Sequence, residues 1–142
     1  MKRLSYIFLI LAVVGTLTIY QAVIVKAQEE AEPTLEIESV VCRDVVDRDP
    51  LDPYDPENPF DVTVEKLFCW TKIIGAQEPI EITHVWYWGE TERAKIVLEV
   101  AGTNWRTWSS KIIQPHEIGD WHVDVVGPDG EVLKTLEFAI KE

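Results

Sequence analysis

The chain has 142 residues, with 13 basic and 25 acidic side chains, and its formal net charge at pH 7 is −12. This acidic balance argues against nucleic acid and anionic lipid surfaces as partners, because both carry negative charge themselves. The length suits one domain with a single hydrophobic core behind a short N-terminal segment.

The first 27 residues have the pattern of an export signal. Lys2 and Arg3 make a positive start, residues 7–14 are all apolar, and Ala27 follows as a small residue at the position of a cleavage site. Residues 4–25 also approach the roughly 20 residues that span a bilayer. We therefore predict a signal peptide or a retained membrane anchor over residues 1–27, and a periplasmic or extracellular location for the rest. Residues 28–34 are predicted to be a polar tether.

Cys42 and Cys69 are the only two cysteines of the chain. In an oxidising compartment, two cysteines in a small exported domain are typically joined. We predict a disulfide between Cys42 and Cys69, and two buried free thiols are the alternative. A redox-active pair is not expected, because the chain has no Cys-x-x-Cys motif.

Seven segments show the period-two alternation of β-strands. In chain order they cover residues 35–46, 60–74, 80–88, 94–100, 105–113, 121–126 and 132–140. The clearest is the third, which places on one face Ile80, Ile82, His84, Trp86 and Trp88. No segment has a sustained helical period with caps. The sequence thus predicts, over residues 35–142, an all-β immunoglobulin-like antiparallel β-sandwich of about seven strands.

Residues 47–61 form an acidic, proline-rich segment between the first two predicted strands. Prolines recur at every third position from 50 to 59, which is the period of polyproline II. Polar side chains precede each proline and would stand roughly 9 Å apart on such a helix, too far to share one calcium ion. We predict a stiff solvated loop here, with a docking surface for a basic partner or a calcium site as alternatives.

The residues that favour a binding site most are 105–111, with the sequence Trp-Arg-Thr-Trp-Ser-Ser-Lys. In a strand, Trp105 and Trp108 point to opposite faces, so at least one is expected to be exposed unless both faces are covered. An exposed tryptophan beside Arg106 or Lys111 can stack a sugar ring or an aromatic side chain of a partner. The alternative is that both rings seal the core and the sheet edge, with Arg106 stacked on one of them.

The chain offers little support for catalysis. His84 shares a face with Trp86 and is predicted to be a hydrogen-bonded core or rim residue. The spacing of His84, His116 and His122 has no zinc signature, and no Gly-x-Ser-x-Gly elbow is present. We predict no metal, no cofactor, no catalytic residue and no enzymatic activity.

Several blocks of sequence carry a family resemblance. They are His84-Val85-Trp86-Tyr87, residues 104–111, Gly119-Asp120-Trp121-His122-Val123, Asp129-Gly130 and residues 133–138. Together they resemble the bacterial domain-of-unknown-function family 2914, over roughly residues 40–140. The resemblance implies an exported or membrane-attached protein and supplies no activity, so it carries over no catalytic residue. The positions of this chain that repeat in the family are His84, Trp86, Trp105, Arg106, Trp108, Ser109, Lys111, Gly119 and Trp121.

We expect an exported, noncatalytic module of the cell envelope with a protein-interaction or structural role. It would bind a protein partner or a second copy through an aromatic face, a free sheet edge or the acidic loop, and would meet the membrane only through an uncleaved N-terminal segment. The alternative is a carbohydrate-binding domain that uses exposed tryptophans. The candidate binding residues are Trp105, Arg106, Trp108, Ser109, Lys111, His84 and Trp86.

Overall fold

The structure, a computed structural model, describes residues 34–142. The predicted signal or anchor over residues 1–27 and residues 28–33 of the predicted tether lie outside the described residues. Among those described, no helix has the length and apolar character needed to cross a membrane. The elements are β1 Glu36–Val46, β2 Asp49–Pro53, β3 Phe60–Asp61, a 3₁₀ turn Val62–Val64, β4 Lys66–Ile74, β5 Ile80–Trp88, β6 Thr91–Val100, β7 Asn104–Ile112, β8 Gly119–Val126 and β9 Val132–Lys141.

The nine strands form two sheets that face each other across the core. The four-stranded sheet has the order β2-β1-β4-β7, and the five-stranded sheet has the order β3-β9-β8-β5-β6. Every pair is antiparallel except the short parallel pair of β3 with β9. The predicted all-β sandwich is confirmed, with two short strands, β2 and β3, added to the seven expected.

Alternation of side chains determines which residues enter the core. On β5, Ile82, His84 and Trp86 are completely buried, as the period of two predicts. On β8 the inward residues are Trp121, Val123 and Val125, and all three are buried. Aromatic rings fill the larger core cluster, in which Phe138 stacks on Trp121 with ring centroids 5.9 Å apart and meets Trp86 edge-on at 6.2 Å.

The predicted strand at residues 60–74 is interrupted. Asp61 accepts a hydrogen bond from the Thr63 amide (2.9 Å) and caps a 3₁₀ turn. Glu65 then adopts a φ of 60°, a left-handed conformation that no regular strand contains. The segment is therefore divided into β3, which pairs with the five-stranded sheet, and β4, which lies at the centre of the four-stranded one.

The acidic proline-rich segment differs from the stiff loop that was predicted. Residues 49–53 form β2, and Pro50 and Pro53 are opposite Val45 and Cys42 of β1. Prolines are tolerated there because β2 is an edge strand. Residues 55–58 close a tight turn, in which the amide of Asn58 donates to the carbonyl of Asp55 at 3.0 Å.

The hairpin of β1 and β2 folds back over the outer face of the four-stranded sheet. Trp70 lies opposite Val40, yet its indole N–H donates to the carbonyl of Arg48 at 2.9 Å. Along a straight strand Arg48 would lie about 26 Å beyond Val40, out of reach of the Trp70 side chain. The chain from β1 to Arg48 must therefore bend. The tip of the hairpin then reaches β7, where Asp49 pairs with Arg106 at 3.3 Å. As a result, Trp70 is only 4% exposed although it points away from the core.

The predicted disulfide is wrong, because Cys42 and Cys69 are both free. Cys69 lies opposite Val41, whereas Cys42 lies opposite Phe68. Since successive side chains point to opposite faces of a sheet, the two sulfurs are on different sides. The Cys42 thiol donates to the carbonyl of Asp44 at 3.2 Å. Burial raises the pKa of Cys42 to about 11 and that of Cys69 to about 12, so both remain protonated.

Candidate functional site

A buried network of polar side chains joins the two sheets at the centre of the core. His84, from β5, has its Nδ1 at 2.7 Å from the Ser109 hydroxyl of β7 and its Nε2 at 2.9 Å from the Thr71 hydroxyl of β4. The indole N–H of Trp86 donates to the same Ser109 hydroxyl at 3.1 Å. Each of these side chains is buried, so their polar atoms depend on one another for hydrogen bonds.

The ends of this network determine the direction of every hydrogen bond in it. At one end Ser39 donates to the carbonyl of Trp70 at 2.8 Å and therefore accepts from Thr71 at 2.7 Å. Thr71 must then accept from the Nε2–H of His84. At the other end the indole N–H can only donate, so Ser109 accepts from it. The buried hydroxyl hydrogen of Ser109 then has Nδ1 of His84 as its acceptor. The network thus assigns His84 to its neutral Nε2–H tautomer.

Burial reinforces this assignment, because it lowers the pKa of His84 to about 4. Protonation would place a second N–H opposite Ser109, whose hydroxyl hydrogen would then have no acceptor. The distance between the Ser109 hydroxyl and the His84 ring is that of a catalytic nucleophile and its general base, but the surroundings of the two side chains differ. Both are buried, and the second nitrogen of the ring meets a threonine where a catalytic triad has a carboxylate. The arrangement acts chemically as a crosslink between sheets.

The seven candidate binding residues fall into two groups. In the core network the structure brings together His84, Trp86 and Ser109. The remaining four belong to strand β7 and are divided between its two faces: Trp105, Arg106, Trp108 and Lys111. Only the second group includes side chains that are accessible to a ligand.

Strand β7 presents an apolar and basic outer face. Trp108 points outward and is 37% exposed, whereas Trp105 points inward and packs against the smaller core cluster. Ile112, on the outer face, is 62% exposed. Arg106 lies between these residues and the hairpin tip, where it pairs with Asp49. The two tryptophans thus point to opposite faces, as alternation predicts, and Trp108 is the one available for contact.

Strand β7 is also a free edge of the four-stranded sheet. The Ile113 amide donates to the Glu65 carbonyl at 2.8 Å, in the register that places Ile112 opposite Lys66. Hydrogen-bonded pairs recur at every second residue of an antiparallel ladder, so the odd-numbered residues of β7 bond to β4. The residues that direct their backbone N–H and C=O groups away from β4, toward the free edge, are Asn104, Arg106, Trp108, Ser110 and Ile112.

Sequence reasoning missed an ion pair beneath the loop of residues 113–118, between the exposed Arg93 and the buried Glu117. Nε of Arg93 lies 2.9 Å from Oε2 of Glu117, whose side chain is completely buried. The other carboxylate oxygen accepts from the Gln114 amide at 2.9 Å, and the Glu117 carbonyl accepts from the Trp121 indole at 2.9 Å. Arg93 and Glu117 are 24 positions apart with no shared periodicity, so no local pattern could have indicated the pair. It anchors the loop.

A shallow groove of about 460 Å³ lies on the other sheet. Its lining includes Tyr54, His122 and Glu137, and the ring of His122 stacks on Tyr87 with centroids 4.5 Å apart. Within residues 34–142, no group of three or more histidine, cysteine, aspartate or glutamate side chains is arranged to hold a metal ion.

No curated protein matches the chain. The profile of a family described as a protein of unknown function, DUF2914, matches residues 79–140. This segment runs from β5 to β9 and contains every residue quoted for the resemblance. The match is shorter than the expected 40–140 and leaves out β1 to β4. The predicted resemblance to the DUF2914 family is therefore confirmed over residues 79–140.

Proposed function

We propose that this chain is a noncatalytic interaction module of the cell envelope that binds a protein strand along the free edge of β7. The observation that carries the proposal is the coincidence of two properties on the same residues. The even-numbered residues of β7 have unpaired backbone groups, and two of them, Trp108 and Ile112, also expose large apolar side chains. An added strand would pair with the backbone and contact these side chains.

The charge of β7 supports a protein strand as the ligand. Positions 1–33 hold three of the 13 basic and three of the 25 acidic residues, which leaves 10 basic and 22 acidic residues at positions 34–142. Within this acidic domain, β7 contains Arg106 and Lys111 and no acidic residue. The basic side chains of β7 therefore reduce, at this edge, the repulsion that the acidic surface of the domain exerts on another acidic protein.

The candidate residues as a whole fit binding better than catalysis. The Ser109–His84 pair is buried and has its hydrogen bonds satisfied. The accessible part of the candidate site consists of an aromatic ring, aliphatic groups, basic side chains and backbone amides, which suit recognition. The module therefore acts by binding.

Export to the envelope is the second element of the proposal, and the N-terminal pattern supports it. The positive start, the apolar run and Ala27 together describe a cleavable signal. The mass of the protein recovered from its host tests this directly. A chain that begins at Gln28 supports a cleaved signal, an intact chain in the membrane fraction supports an anchor, and an intact chain in the cytosol would contradict export.

Site-specific photo-crosslinking tests the interaction in the intact chain. A photoreactive residue replaces Ser110, which is exposed beside Trp108, and in a matched control it replaces Val97, which is 57% exposed on β6 of the other sheet. We expect protein adducts from position 110 and few from position 97. A folded chain that gives no protein adduct from position 110 in its host would refute the proposal.

Carbohydrate binding is the second candidate, and the exposure of Trp108 favours it. The indole lies on the same face as Arg106 and Ser110, which supply donors beside a stacking surface. Tryptophan fluorescence of the full chain, titrated with envelope polysaccharides, tests it. A saturable change that Trp108→Ala abolishes and Trp105→Ala retains would support a glycan site, and an unchanged spectrum would remove it.

A further inference from the structure

We propose that the strand bound by β7 is β7 of a second copy of this chain, paired antiparallel about Trp108. This inference rests on the proposed edge-binding function and identifies the partner. Residue 108 is the midpoint of β7, which runs from Asn104 to Ile112. Pairing about this midpoint overlaps the two strands along their whole length, and any other symmetric register leaves residues of both strands unpaired.

The backbone of β7 is arranged for this register. Pairing about residue 108 places Trp108 opposite its own copy, Arg106 opposite Ser110 and Asn104 opposite Ile112. These are the residues whose N–H and C=O groups point to the free edge, so each opposed pair can exchange two hydrogen bonds. A shift by one residue would place edge-facing groups opposite groups already bonded to β4, and no ladder could form.

The side chains of β7 are also compatible with their own copies. Opposite residues of a hydrogen-bonded pair have Cα atoms about 5.5 Å apart, which brings the two Trp108 rings together on the outer face. On the inner face Lys111 lies opposite Trp105 of the copy, an aromatic ring that also has the guanidinium of its own Arg48 5.9 Å from its centroid. Arg106 and Lys111 meet no basic residue directly across the interface. The strand has no acidic residue to leave unpaired.

The remaining edges explain why pairing stops at two copies. The opposite edge of the same sheet is β2, a five-residue strand that contains Pro50 and Pro53 and two aspartates. Proline has no N–H for a ladder and is a common protection of sheet edges. In the five-stranded sheet, β3 covers only Ile140 and Lys141 of β9. The rest of β9 carries Lys134 and Glu137, and the other edge, β6, carries Glu92, Lys95 and Glu99. Among the described strands, β7 is the edge that such features protect least, so a closed twofold dimer results.

Cysteine crosslinking between two variants tests both the partner and the register. Arg106→Cys and Ser110→Cys are made separately in the full chain, and the native Cys42 and Cys69 remain because both are buried. In the proposed dimer, position 106 faces position 110 of the other copy within the 4.4–6.8 Å range of disulfides. Position 106 is offset from its own copy by four residues, about 13 Å. We expect a disulfide-linked dimer when the two variants are mixed and oxidised, and none from either variant alone or from the wild type.

Sedimentation equilibrium with a second pair of variants checks the result without cysteine chemistry. Ser110→Pro removes an N–H that points to the free edge and leaves the bonds to β4 in place, while Ser110→Ala keeps that N–H. We expect a dimer for the wild type and for Ser110→Ala, and a folded monomer for Ser110→Pro. A crosslink within one variant alone would overturn the register, and a monomeric wild type would overturn the second copy as partner. Adducts between position 110 and a different protein would overturn this inference and leave the proposed function standing.

Discussion

The buried histidine makes the stability of the domain depend on pH in a defined window. His84 is completely buried and neutral, and burial lowers its pKa to about 4 from 6.5. In the unfolded chain the ring would titrate near the ordinary value. Between these two values the unfolded state binds more protons than the folded state, so stability falls as the pH falls. Above pH 7 the ring is neutral in both states and contributes nothing to the pH dependence.

The size of the effect follows from the two pKa values. Each unit of difference corresponds to about 1.4 kcal/mol, so linkage predicts a loss of about 2 kcal/mol between pH 7 and pH 5 from His84 alone. The whole loss, below pH 4, is roughly 3 kcal/mol. For a domain whose total stability is on the order of 5–15 kcal/mol, this is a substantial fraction.

Urea unfolding at pH 7 and pH 5 measures the loss, and His84→Gln provides the comparison because glutamine does not titrate. We expect the variant to be less stable at pH 7 and to lose about 2 kcal/mol less than the wild type between the two values. A wild type and a variant with the same pH dependence would refute the reasoning. If His84→Gln does not fold, the pKa of His84 can be followed instead through its ring signals in NMR spectra of the wild type. We expect these signals not to titrate above about pH 5.

Three further predictions concern the buried groups. Thr71→Val keeps the shape of the side chain but leaves the Nε2–H of the histidine without an acceptor, so urea unfolding should show a loss of about 1–3 kcal/mol. Glu117→Ala removes the carboxylate that holds Arg93 and the 113–118 loop; we expect a loss of about 2 kcal/mol and faster amide exchange in that loop, with Glu117→Gln intermediate. Cys42 and Cys69 should react with a thiol reagent only after denaturation; a wild type without titratable thiols under denaturing, nonreducing conditions would contradict the free cysteines.

Local alternation was enough to predict the central strands and their faces. Strand β5 has the predicted bounds, 80–88, because apolar and polar residues alternate through its whole length. The hairpin of β1 and β2 was not predictable in this way. Its prolines are also compatible with polyproline II, and its position depends on a hydrogen bond from Trp70, 22 residues away. Long-range contacts of this kind leave no periodic signal.

The core network shows the same limit at the candidate site. The sequence placed His84 and Trp86 on one face, and that arrangement is present. It could not show that Ser109 would meet both, because this contact depends on how two different sheets are opposed. The disulfide prediction failed for a related reason, since a shift of one residue in register decides whether two cysteines face each other.

The match to residues 79–140 raises the question of whether that segment is a complete domain. It contains His84 and Ser109 but not Thr71, which accepts the Nε2–H of the histidine. It also contains β7 without β4, the strand to which β7 is hydrogen-bonded. The segment alone would therefore expose the inner face of β5 and leave a central polar group unsatisfied.

We accordingly predict that a fragment of residues 79–140 does not fold, whereas residues 35–142, which form one compact unit, do. Circular dichroism and the dispersion of amide signals in NMR spectra measure the difference. The two fragments share every family residue, so a cooperative unfolding transition in the shorter one would show that β1 and β4 are dispensable. The expected result, a cooperative transition in the longer fragment only, would mean that the sheet presenting Trp108 is stable because strands outside the matched segment complete its core.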